Sequence, residues 1–266
     1  MVHADPAGFA PGTPCWVELA SPDPRATREF YAGLFGWRYA INPDPSTGNY
    51  TFALVHDRPV AGVYTNPGRQ PGELGTWMLY LATVDAVRTA EQVSLLGGQL
   101  VHGPVELPGC GHMLIAADPT GAVVGFWQPT GTWRFGTALP GAVSRGELHS
   151  RDGATADTFF AALFGYAQEP WDDPRTADYT LWSLGGRTIR LGRLGMGPEF
   201  PREMPPHWMV YFDVDPEVGV DRLAERAVRH GGHVALAPFA TREGRVAVLA
   251  DPCGATFAVL DATTRS

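Results

Sequence analysis

The stretch GTPCWVELASPDPRATREFYAGLFGW at residues 12–37 returns 129 positions later as GAVSRGELHSRDGATADTFFAALFGY at 141–166. The ends of the two halves also match, since ADPTGAVVGFWQ at 117–128 is answered by ADPCGATFAVLD at 250–261. A repeat of this length indicates a duplicated domain rather than a short solenoid unit. The two copies can therefore be compared position by position, and the positions at which they differ carry information about function.

The length and the repeat together predict two domains. A chain of 266 residues divides into a first domain at 1–130, a linker at 131–140 and a second domain at 141–266. Domains of about 130 residues are large enough to bury a hydrophobic core. Each domain can therefore fold around a core of its own.

Composition argues against several classes of partner. The chain has 20 Lys and Arg against 28 Asp and Glu and no basic run, which disfavours nucleic acids and anionic membranes as ligands. It has no apolar stretch of about 18 residues and no signal-peptide pattern, so we expect a cytoplasmic protein. The three cysteines have no zinc-binding spacing and are expected to be reduced thiols.

Short strand and helix patterns alternate along both halves. Residues 14–21 alternate as a strand does, and Asp23 followed by Pro24 predicts the start of a helix that ends at Gly36. Further strands are predicted at 50–55, 59–64, 76–82, 99–102, 112–117, 122–128, 143–150, 178–184, 187–192, 207–214, 233–237, 245–250 and 255–260. Further helices are predicted at 85–96, 153–164 and 217–230. The pattern predicts four β-α-β units in series.

These elements, the opening GTPCWVEL followed by DPRATREFYAGLFGW, and the closing DPTGAVVGFWQ and DPCGATFAVL resemble the vicinal oxygen chelate superfamily. That superfamily includes glyoxalase I, bleomycin-resistance proteins and extradiol dioxygenases, and the tandem-domain glyoxalase-like proteins of actinobacteria are the most similar subgroup. The resemblance implies an α+β fold of four βαβββ modules. These would form two tandem domains with cupped mixed sheets. Fold does not fix chemistry in such a family.

Metal-dependent members of the superfamily place His, Gln or Glu on the first and last strands of their modules. The resemblance maps those places in this chain onto residues that are poor metal ligands. They are Trp16, Gly62, Trp77 and Gly125 in the first half and Arg145, Leu191, Trp208 and Ala258 in the second. A shift of one residue would offer His207, but one histidine is not a metal site. We therefore expect no metal and no other cofactor.

Strand alternation extends these positions to candidate binding residues, because side chains two apart share a face. In the first half it adds Glu18 to Trp16 and Trp77, which gives an aromatic surface suited to a flat ligand. In the second half it joins Glu147 and His149 to Arg145, and the candidates on the third strand are Trp208 and Phe212. His112, where a loop enters a strand, is a further candidate for ligand binding.

The Arg145-x-Glu147-x-His149 face suggests proton-transfer chemistry. Residues two apart on a strand lie about 6.5–7 Å apart, so one ligand can reach all three. Histidine or a desolvated glutamate can act as acid or base, and arginine can stabilise an anion. The structural alternative is that Arg145 and Glu147 only pair with each other while His149 bonds a neighbour. Trp133, Trp171, Trp182 and Tyr179 either line cavity mouths or cover sheet edges.

Two functions remain open from the sequence. One is a cofactor-free enzyme of secondary metabolism that performs isomerisation, elimination, ring opening or cyclisation on an aromatic small molecule. The other is a protein that binds a drug or similar compound and sequesters it without chemistry. Both have a small-molecule partner, and four modules in one chain allow a monomer or a homodimer.

Overall fold

The computed structural model describes residues 8–44, 47–65, 72–131, 133–171 and 178–264. Within these ranges the chain forms two eight-stranded sheets and four α-helices. Every quarter of the chain has the order strand, helix, three strands. The predicted α+β fold of four βαβββ modules is confirmed.

The elements of the first half are β1 (Pro14–Ala20), α1 (Pro24–Phe35), β2 (Arg38–Ile41), β3 (Thr51–Val55), β4 (Arg58–Tyr64), β5 (Thr76–Ala82), α2 (Ala86–Leu95), β6 (Gln99–Leu107), β7 (Gly111–Ala117) and β8 (Val123–Pro129). Those of the second half are β9 (Val143–Ser150), α3 (Gly153–Phe164), β10 (Ala167–Pro170), β11 (Tyr179–Leu184), β12 (Arg187–Gly195), β13 (His207–Asp213), α4 (Val220–Arg229), β14 (His233–Thr241), β15 (Gly244–Ala250) and β16 (Thr256–Asp261). A short 3₁₀ turn at Ala262–Thr264 follows.

Both sheets have the same topology. The strand order is β2-β3-β4-β1-β5-β8-β7-β6 in the first and β10-β11-β12-β9-β13-β16-β15-β14 in the second. The first strand of each module runs parallel to the last strand of that module, and the other pairs within a module are antiparallel. Strands β2 and β10 were not predicted by the residue pattern. They have four residues each and are mostly exposed, so they carry little hydrophobic periodicity.

Repeated caps define the first helix of each half. Asp23 accepts hydrogen bonds from the backbone N–H groups of Arg25 and Ala26, and Gly36 ends α1 in the left-handed conformation with φ 73°. Asp152 caps α3 by accepting a hydrogen bond from the backbone N–H of Thr155, and Gly165 ends the helix with φ 78°. Only glycine adopts this conformation readily. The repeated Asp and Gly are therefore explained by helix ends.

The chain divides into two compact units that do not coincide with its two halves. Unit 1 contains Met1–Cys15, Leu79–Trp133 and Arg145–Trp208, and unit 2 contains Trp16–Met78, Arg134–Ser144 and Met209–Ser266. Each unit thus takes most of one module from each half.

Each unit has an aromatic core. In unit 2 the hydroxyl of Tyr31 accepts a hydrogen bond of 3.0 Å from Trp77 Nε1, and Phe212 packs 5.1 Å from Trp77. In unit 1 Phe160 packs 5.1 Å from Trp182 and 5.6 Å from Trp208. These rings join helix α1 or α3 to the adjacent strands and stabilise the units through burial and edge-to-face contacts.

None of the helices in the described ranges combines the length and the apolar character that crossing a membrane requires.

The N-cap of α1 gives a test of the local structure. We expect Asp23→Ala to lower the free energy of unfolding by about 1 kcal/mol, because two backbone N–H groups lose their acceptor. Asp23→Ser keeps an acceptor oxygen and should retain most of that stability. Urea unfolding followed by circular dichroism measures both variants. Equal midpoints for the alanine and serine variants would contradict the assignment of Asp23 as a cap.

Candidate functional site

Three charged or titratable side chains of β9 are buried together. Arg145, Glu147 and His149 are only 7%, 4% and 6% exposed. Arg145 Nη2 donates a hydrogen bond of 2.6 Å to Glu147 Oε2, and His149 Nε2 lies 2.8 Å from Glu147 Oε1. The alternation of the strand thus brings the three residues together, as the sequence suggested. The structural alternative, in which Arg145 and Glu147 pair and His149 bonds a neighbour, describes both contacts equally well, so the role of the cluster depends on the other nitrogen of His149.

The position of Glu147 determines which nitrogen of His149 carries the proton. The guanidinium of Arg145 compensates the charge of an ionised Glu147 carboxylate. An ionised carboxylate only accepts hydrogen bonds, so Nε2 of His149 carries the hydrogen that points to Oε1. When the ring is neutral, its lone pair is on Nδ1. This atom is buried and has no hydrogen-bond partner among the described residues.

A second histidine lies against the first. The ring centroid of His207, at the start of β13, is 4.7 Å from that of His149 in an edge-on arrangement. Nδ1 of His207 donates a hydrogen bond of 2.9 Å to the carbonyl oxygen of Pro205, because a carbonyl oxygen only accepts. Burial lowers the pKa of His207 below its usual 6.5, and the neighbouring His149 lowers it further. Phe200 covers the other edge of the pair, 5.6 Å from His149.

Tyr179 of β11 completes the cluster. Its ring lies 5.5 Å from Cζ of Arg145, within the range of a cation–π contact. Its hydroxyl is buried and has no hydrogen-bond partner among the described residues. The residue beneath it is Gly192, which pairs with Glu147 across β12 and β9. A Cβ atom on Gly192 would lie 2.7 Å from the tyrosine hydroxyl, so glycine makes room for the phenol.

In the corresponding site of the first half, the polar side chains form hydrogen bonds with one another. Tyr50 donates a hydrogen bond of 2.9 Å to Glu18 Oε2 and accepts one of 2.7 Å from Trp16 Nε1. Burial and the nearby Glu18 carboxylate hold the pKa of Tyr50 well above its usual range, so the phenol stays protonated. Trp16 also packs against Phe52 and Phe135, with centroids 5.9 and 5.6 Å away. The structure brings the candidates Trp16 and Glu18 together as partners of one tyrosine.

The tryptophans of β5 and β13 do not join these clusters. A Cβ built on Gly146 would lie 3.5 Å from Trp208, which puts Trp208 on the face opposite Glu147. Phe212 shares the parity of Trp208 and packs against Trp77 in the aromatic core of unit 2. Trp77 was expected beside Trp16 and Glu18, and Trp208 and Phe212 beside the charged cluster; strand register instead places Trp208 on the opposite face, one residue away. The ligand-binding roles of these three residues stay predictions. The neighbouring His207 has the position that was assigned to Trp208.

His112 lies elsewhere in unit 1. It pairs with Gln128 of β8 and Glu106 of β6 in the antiparallel part of its sheet. Among the described residues, no hydrogen bond or ring contact joins it to Arg145, Glu147 or His149. Its role as a ligand-binding residue stays a prediction.

The site does not fit a divalent metal ion. Strand β12 has one more residue than β4 before its glycine, so Gly192, and not Leu191, lies opposite Glu147. Around Glu147, the positions at which the superfamily places metal ligands hold Arg145, Gly192 and His207. Only His207 has an atom that can bind a metal, and the positive charge of Arg145 repels a cation. Both oxygens of Glu147 are already hydrogen-bonded. In the described part of the chain, no group of three His, Cys, Asp or Glu residues is arranged to hold a metal ion.

Neither Tyr179 nor His207 was assigned a catalytic or ligand-binding role from the sequence, although Tyr179 was expected to line a cavity mouth or cover a sheet edge. A signal for Tyr179 existed, because Tyr50 lies at the same repeat position. It was not decisive, since the sequence does not reveal whether a buried phenol has a hydrogen-bond partner. His207 was visible only as a shift of one residue from Trp208. The register that decides between them is set by strand pairing, which the sequence pattern left open.

Family models match both halves of the chain. Residues 15–126 match the Glyoxalase/Bleomycin resistance protein/Dioxygenase superfamily, and residues 147–260 match a Glyoxalase-like domain. The solved Mn(II)-bound glyoxalase from Novosphingobium aromaticivorans has a similar fold, with a TM-score of 0.64 and 16% identity over 96% of this chain and 86% of that one. At that identity the likeness concerns the fold alone.

Two relatives match nearly the whole chain. The anthracycline biosynthesis protein DauV of Streptomyces sp. (strain C5) is 34% identical over 95% of this chain and 94% of its own length. The putative glyoxylase CFP32 of Mycobacterium bovis is also 34% identical, over 95% of each chain. With the two family matches and the two equivalent sheets, these relatives show that the chain is a tandem-domain member of the glyoxalase, bleomycin-resistance and dioxygenase superfamily, also called the vicinal oxygen chelate superfamily.

Proposed function

We propose that this protein is a metal-independent enzyme of secondary metabolism that moves a proton on an aromatic small molecule, with His149 as the acid and base. The observation that carries the proposal is the buried Nδ1 of His149, which has no hydrogen-bond partner among the described residues while Nε2 is held by Glu147. A buried polar atom without a partner is costly, about 1–3 kcal/mol. A ligand that bonds to Nδ1 would remove that cost.

The cluster has the parts that general acid–base catalysis needs. His149 takes a proton through the Nδ1 lone pair, and Glu147 stabilises the imidazolium that forms. A carboxylate that is hydrogen-bonded to a catalytic histidine has this effect in general. Arg145 fixes the carboxylate rather than the substrate anion, which revises the role that the sequence suggested for it. The same His149 returns the proton to a different atom of the ligand. Isomerisation, elimination, ring opening and cyclisation all proceed by such steps without an oxidant.

An aromatic substrate is supported by the side chains around the cluster and by the proteins to which this chain is related. Tyr179 and Phe200 border the cluster, and planar rings pack well against such side chains. DauV is named as an anthracycline biosynthesis protein, and this similarity supports a secondary metabolite as the ligand. The proton-accepting Nδ1 of His149 suits a ligand with an acidic C–H or O–H. The residues of the first site bond to one another, so we propose one ligand per chain, bound in the second half.

The function is tested by hydrogen exchange on a small aryl ketone. We expect the protein to catalyse deuterium incorporation from D2O into the carbon next to the carbonyl of α-tetralone, followed by NMR. His149→Gln should slow this exchange by about 10²–10⁴-fold, because the variant has no group that can take a proton. Binding of α-tetralone, followed by tryptophan fluorescence, should change only a few-fold.

The matched control is His233→Ala, which removes an exposed histidine at the start of β14. It should exchange and bind as the wild-type protein does. Binding without any exchange in the wild-type protein would refute the enzyme and support the alternative, a protein that sequesters its ligand. Equal exchange rates in wild type and His149→Gln would assign the chemistry to another group.

His207 makes a prediction about pH. Its pKa is lowered in the folded state, so the unfolded chain binds the additional proton first as the pH falls below about 6.5. The neutral ring therefore favours the folded state above that pH. This stabilisation of the folded state is lost as the pH falls toward the lower pKa that His207 has in the folded protein. Urea unfolding between pH 5 and 8 should show a smaller loss of stability in His207→Gln than in the wild type. An identical pH profile would mean that His207 is not desolvated.

A further inference from the structure

The two sites differ in the hydrogen bonds that one tyrosine hydroxyl makes. Tyr50 and Tyr179 occupy the same repeat position, and each lies over a glycine that faces the glutamate of the central strand. In the first site the Tyr50 hydroxyl donates to Glu18. In the second site the Tyr179 hydroxyl makes no hydrogen bond within the described residues, although it is buried and the residue is only 8% exposed.

The reason is the exchange of Trp16 for Arg145. Trp16 donates to the Tyr50 hydroxyl and leaves Glu18 Oε2 to accept from that hydroxyl. Arg145 instead donates to Glu147 Oε2. The second oxygen of Glu147 is taken by His149. Both oxygens of Glu147 thus have other partners, and the Tyr179 hydroxyl makes no hydrogen bond to either of them.

We infer that the Tyr179 hydroxyl donates a hydrogen bond to an oxygen atom of the ligand, and that it determines specificity for a ketone or enol group. This inference rests on the proposed function and names the chemical group that the site recognises. Tyr179 lies over Gly192, which pairs with Glu147, and the adjacent strand carries His149 on the same face. Strand β12, which carries Gly192, lies between β11 and β9. The phenol of Tyr179 extends from β11 over Gly192, so its hydroxyl lies one strand spacing, about 4.8 Å, from β9, and one small ring system can reach both side chains.

The arrangement fits a carbonyl oxygen with an acidic hydrogen on the next carbon. His149 Nδ1 takes the proton from the C–H group, the electron pair of that bond forms a double bond to the carbonyl carbon, and the π electron pair of the C=O bond moves to the oxygen. The phenol of Tyr179 donates to this oxygen, and its hydrogen bond strengthens as the oxygen becomes negative. Return of the proton to carbon restores the ketone. No oxidant, reductant or further reactant is needed.

The test compares two ligands with the same skeleton, α-tetralone and tetralin, which lacks the oxygen. Wild-type protein should bind α-tetralone more tightly, as measured by tryptophan fluorescence. Tyr179→Phe should weaken α-tetralone binding by about tenfold and leave tetralin binding unchanged, because only the ketone loses a hydrogen bond. The exchange rate of α-tetralone should fall in the same variant.

The matched control is Tyr50→Phe, which removes the corresponding hydroxyl of the first site. It should lower the urea midpoint, because Trp16 and Glu18 lose a partner, but keep the preference for the ketone. The inference is overturned if Tyr179→Phe retains the wild-type preference for α-tetralone over tetralin, or if the wild-type protein has no such preference. Failure of the proposed function is separate. It appears as unchanged exchange in His149→Gln, whatever Tyr179→Phe does to binding.

Discussion

Each half builds its site around a glutamate that faces a glycine across a parallel pair of strands. The pairs are Glu18 with Gly62 and Glu147 with Gly192. A Cβ on either glycine would come within 2.7 Å or less of a tyrosine hydroxyl, so the absence of a side chain is what admits the phenol. This constraint fixes where the tyrosine, the glutamate and their partners meet. The differences between the two sites are differences in how these few polar atoms pair.

A single exchange on the first strand redirects that pairing. Tryptophan has one N–H donor, whereas arginine has five and carries a charge. Arg145 therefore binds the glutamate directly, where Trp16 binds the tyrosine. The second exchange replaces Ala20 with His149, which takes the remaining carboxylate oxygen. Together the two exchanges convert a closed hydrogen-bond chain into one that ends at a histidine nitrogen.

The sequence predicted the fold well because the fold depends on local signals. The repeat and the helix ends at Asp23 and Gly36 define the modules. The exposed strand β2 has no hydrophobic periodicity and was therefore not predicted. The site was predicted only in part. The Arg145-x-Glu147-x-His149 face follows from alternation within one strand. The choice between Trp208 and His207 depends on register between strands, and an error of one residue moves every side chain to the other face.

The buried atoms without partners argue that the second site is completed by a ligand. Buried polar groups in folded proteins are nearly always hydrogen-bonded, and each exception needs an explanation. His149 Nδ1 and the Tyr179 hydroxyl are such exceptions, and they lie in the cluster around Glu147 in one copy of a duplicated domain. In the other copy Tyr50 is fully engaged. Packing alone does not require the exceptions, because the first copy has the same fold without them. An acceptor and a donor left open together match a ligand that offers an acidic hydrogen and an oxygen at neighbouring atoms.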